Sequence, residues 1–282
     1  MRAMDRREIF RSLAADVGKG ELSFPTSAQV GMRVRRALDD PDCHIDAAAK
    51  LVQAEPLLSA RVVAIANSVA YNRSGREITD VRTAVARLGF RTLRSLATAL
   101  VTRQLAGAPQ GQASQDLAAQ LWQHTAHVAS LAHVIARRVT KLDPETAMFA
   151  GIIHEVGGFY AISRSKDFPG LFEDDLSDWL EMGEMEVGRA VLKVLNVPEP
   201  VTHAIEVYWD GFLSMPPVTL ADTILLAEEL TPVGSPLHRL GGKPSGEGMT
   251  ASIDMAIGAD TLQSILKESA EDVASLTAAL QF

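Results

Sequence analysis

The feature that most constrains this chain is one apolar series, Leu117, Leu121, Val128, Leu131, Ile135 and Val139. Spacings of three, four and seven residues put all six on one face of a helix with 3.6 residues per turn. A buried face that long needs several other helices to cover it. No clear run of alternating β-branched and polar residues bounded by turn chemistry accompanies it. The expected fold class is therefore all-α.

Other helices announce themselves by their ends. Pro56, whose fixed φ suits a first helical position, opens a segment carrying Leu57, Leu58, Val62 and Ile65 towards Asn67-Ser68. Asp80 starts a second with Val81, Val85 and Leu88, which Gly89 breaks. Leu93, Leu96 and Leu100 then form a core stripe from which Arg91 and Arg94 point away. Asp143-Pro144 reads as the start of another helix and Gly157-Gly158 as its stop.

The Gly/Pro/Gln stretch 106–113 is the expected lobe boundary, giving an N-terminal helical lobe over 1–107 and a second helical lobe over 108–282. Within the second, Thr231 to Asp260 is rich in Gly, Pro and Ser and reads as a long mobile loop. A C-terminal helix carrying Leu266, Val273, Leu276 and Leu280 follows it.

Composition narrows the setting. With 47% apolar and 22% charged residues the chain is of the globular kind, and its single cysteine, Cys43, has no intramolecular partner. The expected compartment is the reducing cytoplasm. Met1 to Phe10 lacks a signal-peptide core, and no run approaches the roughly 20 apolar residues that span a bilayer. No membrane association is expected. The net charge of −8 argues against a nucleic-acid coat protein, but the charge is unevenly spread. Residues 61–104 hold eight arginines, whereas 167–187 hold eight carboxylates and no Lys or Arg. The arginine stretch can be a solvated face, or can bind an anionic ligand, nucleic acid or that acidic segment. It lacks the interleaved aromatics of a nucleic-acid site.

Four residues could carry chemistry. His124 falls within the apolar stripe, where an imidazole needs a partner for each ring nitrogen. His154-Glu155 sits at a helix end, and Asp222 lies inside an apolar helix segment, where a carboxylate must be paired or metal-bound. A bound ion and a buried hydrogen-bonded polar cluster remain alternative readings of this set. Asn67 reads either as a helix-end cap or as a binding clamp.

Several motifs in order resemble a known family. Phe24-Pro25, Glu55-Pro56-Leu57-Leu58-Ser59-Ala60-Arg61, Ala66-Asn67-Ser68 and Ala84-Val85-Ala86-Arg87-Leu88-Gly89 follow the HDOD pattern. Leu121-Trp122-Gln123-His124 and Ala150-Gly151-Ile152-Ile153-His154-Glu155-Val156-Gly157 continue it, so that the resemblance covers about residues 20 to 230. It implies an all-α signalling or regulatory module whose second half is similar to HD-domain metal-dependent phosphohydrolases. The expected partners are signalling proteins or a small anionic, nucleotide-like ligand, and the helix-end Asn67 and the arginine-stretch residues Arg91 and Arg94 are the candidates for meeting it. The H…HD…D order of the HD enzymes maps onto His124, His154-Glu155 and Asp222, a candidate vestigial site for a single divalent metal ion. The chain departs from the enzymes in having Glu155 for the aspartate, Gly158 at the expected lysine and Tyr208-Trp209 in place of further histidines. The resemblance thus implies a regulatory module without catalysis, with a weak phosphohydrolase or phosphodiesterase acting on nucleotides as the alternative.

Overall fold

The computed structural model describes residues 5–19, 26–107, 109, 111–173, 175–242 and 259–281, with the side chains of 26–30 and 259–263 excepted. The fold is all-α, with no strand among the described residues. In chain order the helices are α1 (Arg6–Gly18), α2 (Thr26–Leu38), α3 (Ile45–Gln53), α4 (Pro56–Asn67) and α5 (Val81–Leu105). They continue with α6 (Gln112–Ile135), α7 (Pro144–Ile153), α8 (Val156–Ser163), α9 (Glu184–Val194), α10 (Glu199–Asp210), α11 (Leu220–Leu230), α12 (Pro236–Leu240) and α13 (Ala259–Leu280). Single π-helical turns extend α6 over Ala136–Thr140 and precede α9 over Trp179–Gly183. Phe24-Pro25 of the family pattern lies outside the described residues.

Local chemistry sets the ends. The Glu55 side chain accepts the Leu57 N–H ahead of Pro56, Asp80 accepts from Thr83 N–H at 2.8 Å, and Asp143 accepts from Thr146 N–H at 3.0 Å ahead of Pro144. Gly89 breaks α5 as expected, with φ of 74°, a region glycine enters without a Cβ clash.

The expected stop at Gly157-Gly158 is displaced. α7 ends at Ile153, four residues before Gly157, Glu155 leaves helical geometry with φ of −107° and ψ of 25°, and the glycines lie inside α8. They permit contact instead of terminating a helix: a Cβ on Gly157 would lie 2.7 Å from the backbone N of Gly188 in α9. Gly151 plays the same part between α7 and α6, where a Cβ would lie 2.7 Å from Ala129 Cα.

α5 packs on α2, α3 and α4, α6 on α7, and α5 against α7 joins these two groups. Both chain ends cross between them. α13 packs on α6 and α4, and α1 docks on α9, where Phe10 meets Trp179 edge to face at 5.3 Å. Among the described residues the acidic segment pairs with this first helix and not with the arginine-rich stretch: Arg7 pairs with Asp178 at 2.6 Å and with Glu181.

The expected mobile loop is partly replaced by packed structure. Residues 231–242 contain α12, whose Pro236, Leu237 and His238 are buried. Ser235 caps it through His238 N–H, and Leu237 inserts into the core. The Gly/Pro/Ser composition drew attention to the turns and away from that short helix. The remainder of the expected loop, 243–258, lies outside the described residues.

Candidate functional site

Three of the four sequence candidates meet. His124 from mid-α6, His154 capping α7 and Glu155 at the α7–α8 corner are 0%, 1% and 2% exposed, burial that requires mutual pairing. The short corner is what turns the adjacent His154 and Glu155 side chains toward one centre. His124 Nδ1–H donates to the Val233 carbonyl at 2.6 Å, and His154 Nδ1–H to the Gly151 carbonyl at 2.7 Å. A carbonyl only accepts, so these contacts fix the Nδ1–H form and turn each Nε2 inward. The two Nε2 atoms stand 3.3 Å apart.

Asp222 is not with them. Its carboxylate accepts from Ser214 N–H at 2.8 Å, Val218 N–H at 2.9 Å and both Thr219 N–H and hydroxyl at 2.7 Å. It forms a capping box at the start of α11. Burial would raise its pKa, but these hydrogen bonds hold the carboxyl below its ordinary value. The carboxylate that α11 sends to the centre is Glu228, six residues on and about 9 Å along the helix axis.

Glu228 Oε2 lies 3.1 Å from His124 Nε2 and 3.6 Å from His154 Nε2; Glu155 Oε2 lies 3.3 Å and 3.8 Å from the same atoms. Both oxygens are buried without a hydrogen bond of proper geometry. Beside them His238 forms the link to a second group. Its Nδ1 is 3.2 Å from Glu228 Oε1, and its Nε2 is 3.3 Å from both Glu184 oxygens and 3.4 Å from Glu155 Oε1. Ser235 Oγ–H donates to Glu155 Oε1 at 2.6 Å.

The charges follow from this placement. Burial disfavours a charged His124, but Glu228 and Glu155 outweigh it and lift its pKa to about 9. His238 is likewise raised despite burial, by Glu184 and Glu155. Burial alone would raise Glu228, but the nearby His124 and the hydrogen bond from His238 hold it well below the usual carboxylate range.

The donor set fits a metal ion. His124 Nε2 and His154 Nε2 stand 3.1 to 3.8 Å from the Oε2 atoms of Glu228 and Glu155, separations that suit ligands of one ion bonded at about 2.0–2.2 Å, and His124, His154 and Glu228 are the three whose ligand atoms all lie within 4.8 Å of one another. The two orphaned oxygens and the backbone-anchored imidazoles supply its lone pairs. His238 does not repeat this pattern, since both its nitrogens face carboxylates, the environment of an imidazolium.

Glu184, Glu228 and His238 were not legible as site residues. His238 sits in the stretch read as a loop, Glu184 is one of eight acids in the acidic run, and Glu228 lies near the end of an apolar helix in which only Asp222 drew notice. Asn67 acts as a strap for its own backbone: its Nδ2–H groups donate to the Val63 and Ile78 carbonyls at 3.1 and 2.7 Å, and its Oδ1 accepts from Ile78 N–H at 2.8 Å. That use is the helix-end role, the first of the two readings of Asn67. Arg91 and Arg94 lie far along the chain from the histidine centre and line a separate cleft with residues of α2, α7 and α10.

Comparisons with known proteins agree with this fold. The HDOD domain family model matches residues 24–210. A structure of a provisionally assigned metal-dependent phosphohydrolase from Shewanella amazonensis SB2B is 21% identical, with a TM-score of 0.71 over 98% of this chain and 100% of that one. An HDOD domain protein of unknown function from Geobacter sulfurreducens is 25% identical, with a TM-score of 0.60 over 97% of both chains. A provisionally assigned signal transduction protein from Marinobacter aquaeolei VT8 is 19% identical, with a TM-score of 0.61 over 100% of this chain and 68% of that one. An uncharacterized protein of Treponema pallidum (strain Nichols) is 23% identical over 212 residues, 68% of this chain but only 39% of the relative's own length.

Proposed function

The chain belongs to the HDOD family, and from that premise we propose that it is a regulatory module that acts by binding signalling partners or a small anionic ligand, without hydrolysis. The observation that carries this reading is the closure of the HD-like centre. A hydrolytic metal site keeps a coordination position open for water and substrate. Here His124, His154 and Glu155 are at most 2% exposed, and Ser235 and His238 of the following turn bond directly to the carboxylates. A phosphoester reaches the centre only if that turn moves away.

In this proposal His124, His154, Glu155 and Glu228 hold one divalent ion, or a shared positive charge in its place. When bound, such an ion supplies charge neutralisation for two buried carboxylates. The residues themselves tie α6, α7 and α11 in register, and His238 fastens the 231–242 segment over them. The chain works in the cytoplasm, with signalling proteins as partners and no nucleic-acid role; among the described residues no helix is long and apolar enough to cross a membrane.

The four-donor set favours a second reading, weak phosphodiesterase activity, and one experiment separates the two. The protein is purified without chelator, its metal content measured, and a generic aryl phosphodiester offered. The expected result is at most one ion per chain, lost in His124→Ala, and no turnover in either protein. Turnover that disappears with His124→Ala would replace the regulatory reading with the enzymatic one.

A further inference from the structure

A second feature lies away from the histidine centre. A cleft of about 510 Å³ opens between α2 and α5 on one side and α7 and α10 on the other, within the roughly 300–1,000 Å³ range of small-molecule sites. Arg35, Arg91 and Arg94 line it from two different helices, and Phe149, Pro198 and Val201 supply an apolar wall.

The acids nearby do not cancel the arginines. Glu145 lines the cleft too, but it is occupied on its inner side by Thr92, which donates to it at 2.8 Å, by His133 at 3.6 Å and by Tyr71. Asp39 stands 3.6 Å from Arg94 and offsets part of the charge of Arg35 as well, so that one carboxylate is shared between two guanidinium groups. Asp143 pairs with Arg91 at 2.8 Å with both side chains well exposed, a contact that water and salt weaken. Arg35 is different. It is 9% exposed, its Nη2–H donates to the Asn196 carbonyl at 3.0 Å, and its buried Nη1 has no partner among the described residues. Burial lowers its pKa, as it does for any cation lacking a full counter-charge.

We infer that this cleft binds a nucleoside phosphate, its phosphate held by Arg35, Arg91 and Arg94 and its base laid against Phe149 and Pro198. Guanidinium forks match phosphate oxygens in pairs, and a charge-assisted contact of that kind is the natural complement of an arginine buried with an idle donor. The apolar wall calls for a ligand with a flat uncharged part, which inorganic phosphate lacks. The inference rests on the regulatory reading in one respect: the nucleotide is an effector and not a substrate.

Calorimetric titration of the whole chain with GMP, AMP and inorganic phosphate tests it. The nucleotides bind, phosphate binds more weakly, and Arg91→Ala/Arg94→Ala weakens the nucleotides by about tenfold or more, while Arg73→Ala, off the cleft, leaves them unchanged. Arg35→Met gives the same loss if circular dichroism shows it folded; the exposed double variant decides the matter if it is not. Binding equal to the parent in the double variant, or phosphate as tight as GMP, overturns the assignment. No binding of either nucleotide at millimolar concentration also overturns it, and leaves the regulatory reading intact if the chain turns nothing over. A nucleotide that binds in the cleft but is consumed overturns the effector role alone.

Discussion

The histidine centre and the arginine cleft are opposites that share one helix, α7. At the centre, buried imidazoles and carboxylates face one another, so the charges are matched inside the protein. At the cleft, cations face an open space and Arg35 keeps an idle donor. The difference teaches where a molecule of this kind stores stability and where it leaves room to respond. α7 joins the two: Glu145 and Phe149 line the cleft, and His154 follows its last residue, about 14 Å along the axis from Glu145.

The largest expected effect breaks the closed region. His124→Ala leaves Glu155 and Glu228 buried without their cation and should cost about 3–5 kcal/mol in a urea denaturation series. A midpoint equal to that of the parent would mean that the centre is not the lock described above. Gly157→Ala forces α8 away from the Gly188 backbone and should cost about 1–3 kcal/mol, read as a lower melting temperature with the helical signal retained at 25 °C.

Asp222→Asn sharpens the contrast between the two acids of α11. Loss of the charged cap should cost about 1–2 kcal/mol yet leave any metal in place, whereas Glu228→Gln should remove the metal. Because the folded Asp222 carboxyl titrates below its unfolded value, its stabilisation is complete above the unfolded value and is lost as pH falls through the folded one. The acid limb of the stability curve should therefore be shallower in Asp222→Asn than in the parent protein. Smallest of all, Arg91→Ala breaks only an exposed pair with Asp143 and should change stability by no more than about 1 kcal/mol, while weakening nucleotide binding in the cleft.

The sequence made the helices legible because their signals are local: Pro56, Asp80, Asp143 and the period of the α6 stripe act within one or two turns. It made His124, His154 and Glu155 legible for a related reason, since a polar residue on an apolar face demands a partner. The partners themselves are distant in sequence. Whether Asp222 or Glu228 reached the centre depended on where α11 began relative to α6. Asp222 looked the better candidate because it lay among apolar residues, but its neighbours Thr219 and Val218 already saturate it. His238 was hidden because a five-residue helix inside a glycine-rich stretch has too short a period to read. Gly157 misled for the converse reason, since a glycine that permits close packing looks the same in sequence as one that ends a helix.

The close approach of α6 and α7 at Gly151 gives that residue two tasks. Lacking a Cβ, it lets the helices meet at Ala129, and its carbonyl orients the His154 ring. Since His124 lies five residues before Ala129 on α6, the gap between the two imidazoles is set by helix spacing and not by the imidazoles themselves. Gly151 thus works as a ruler: the size of whatever occupies the centre is gauged one turn away, by a residue that never touches it.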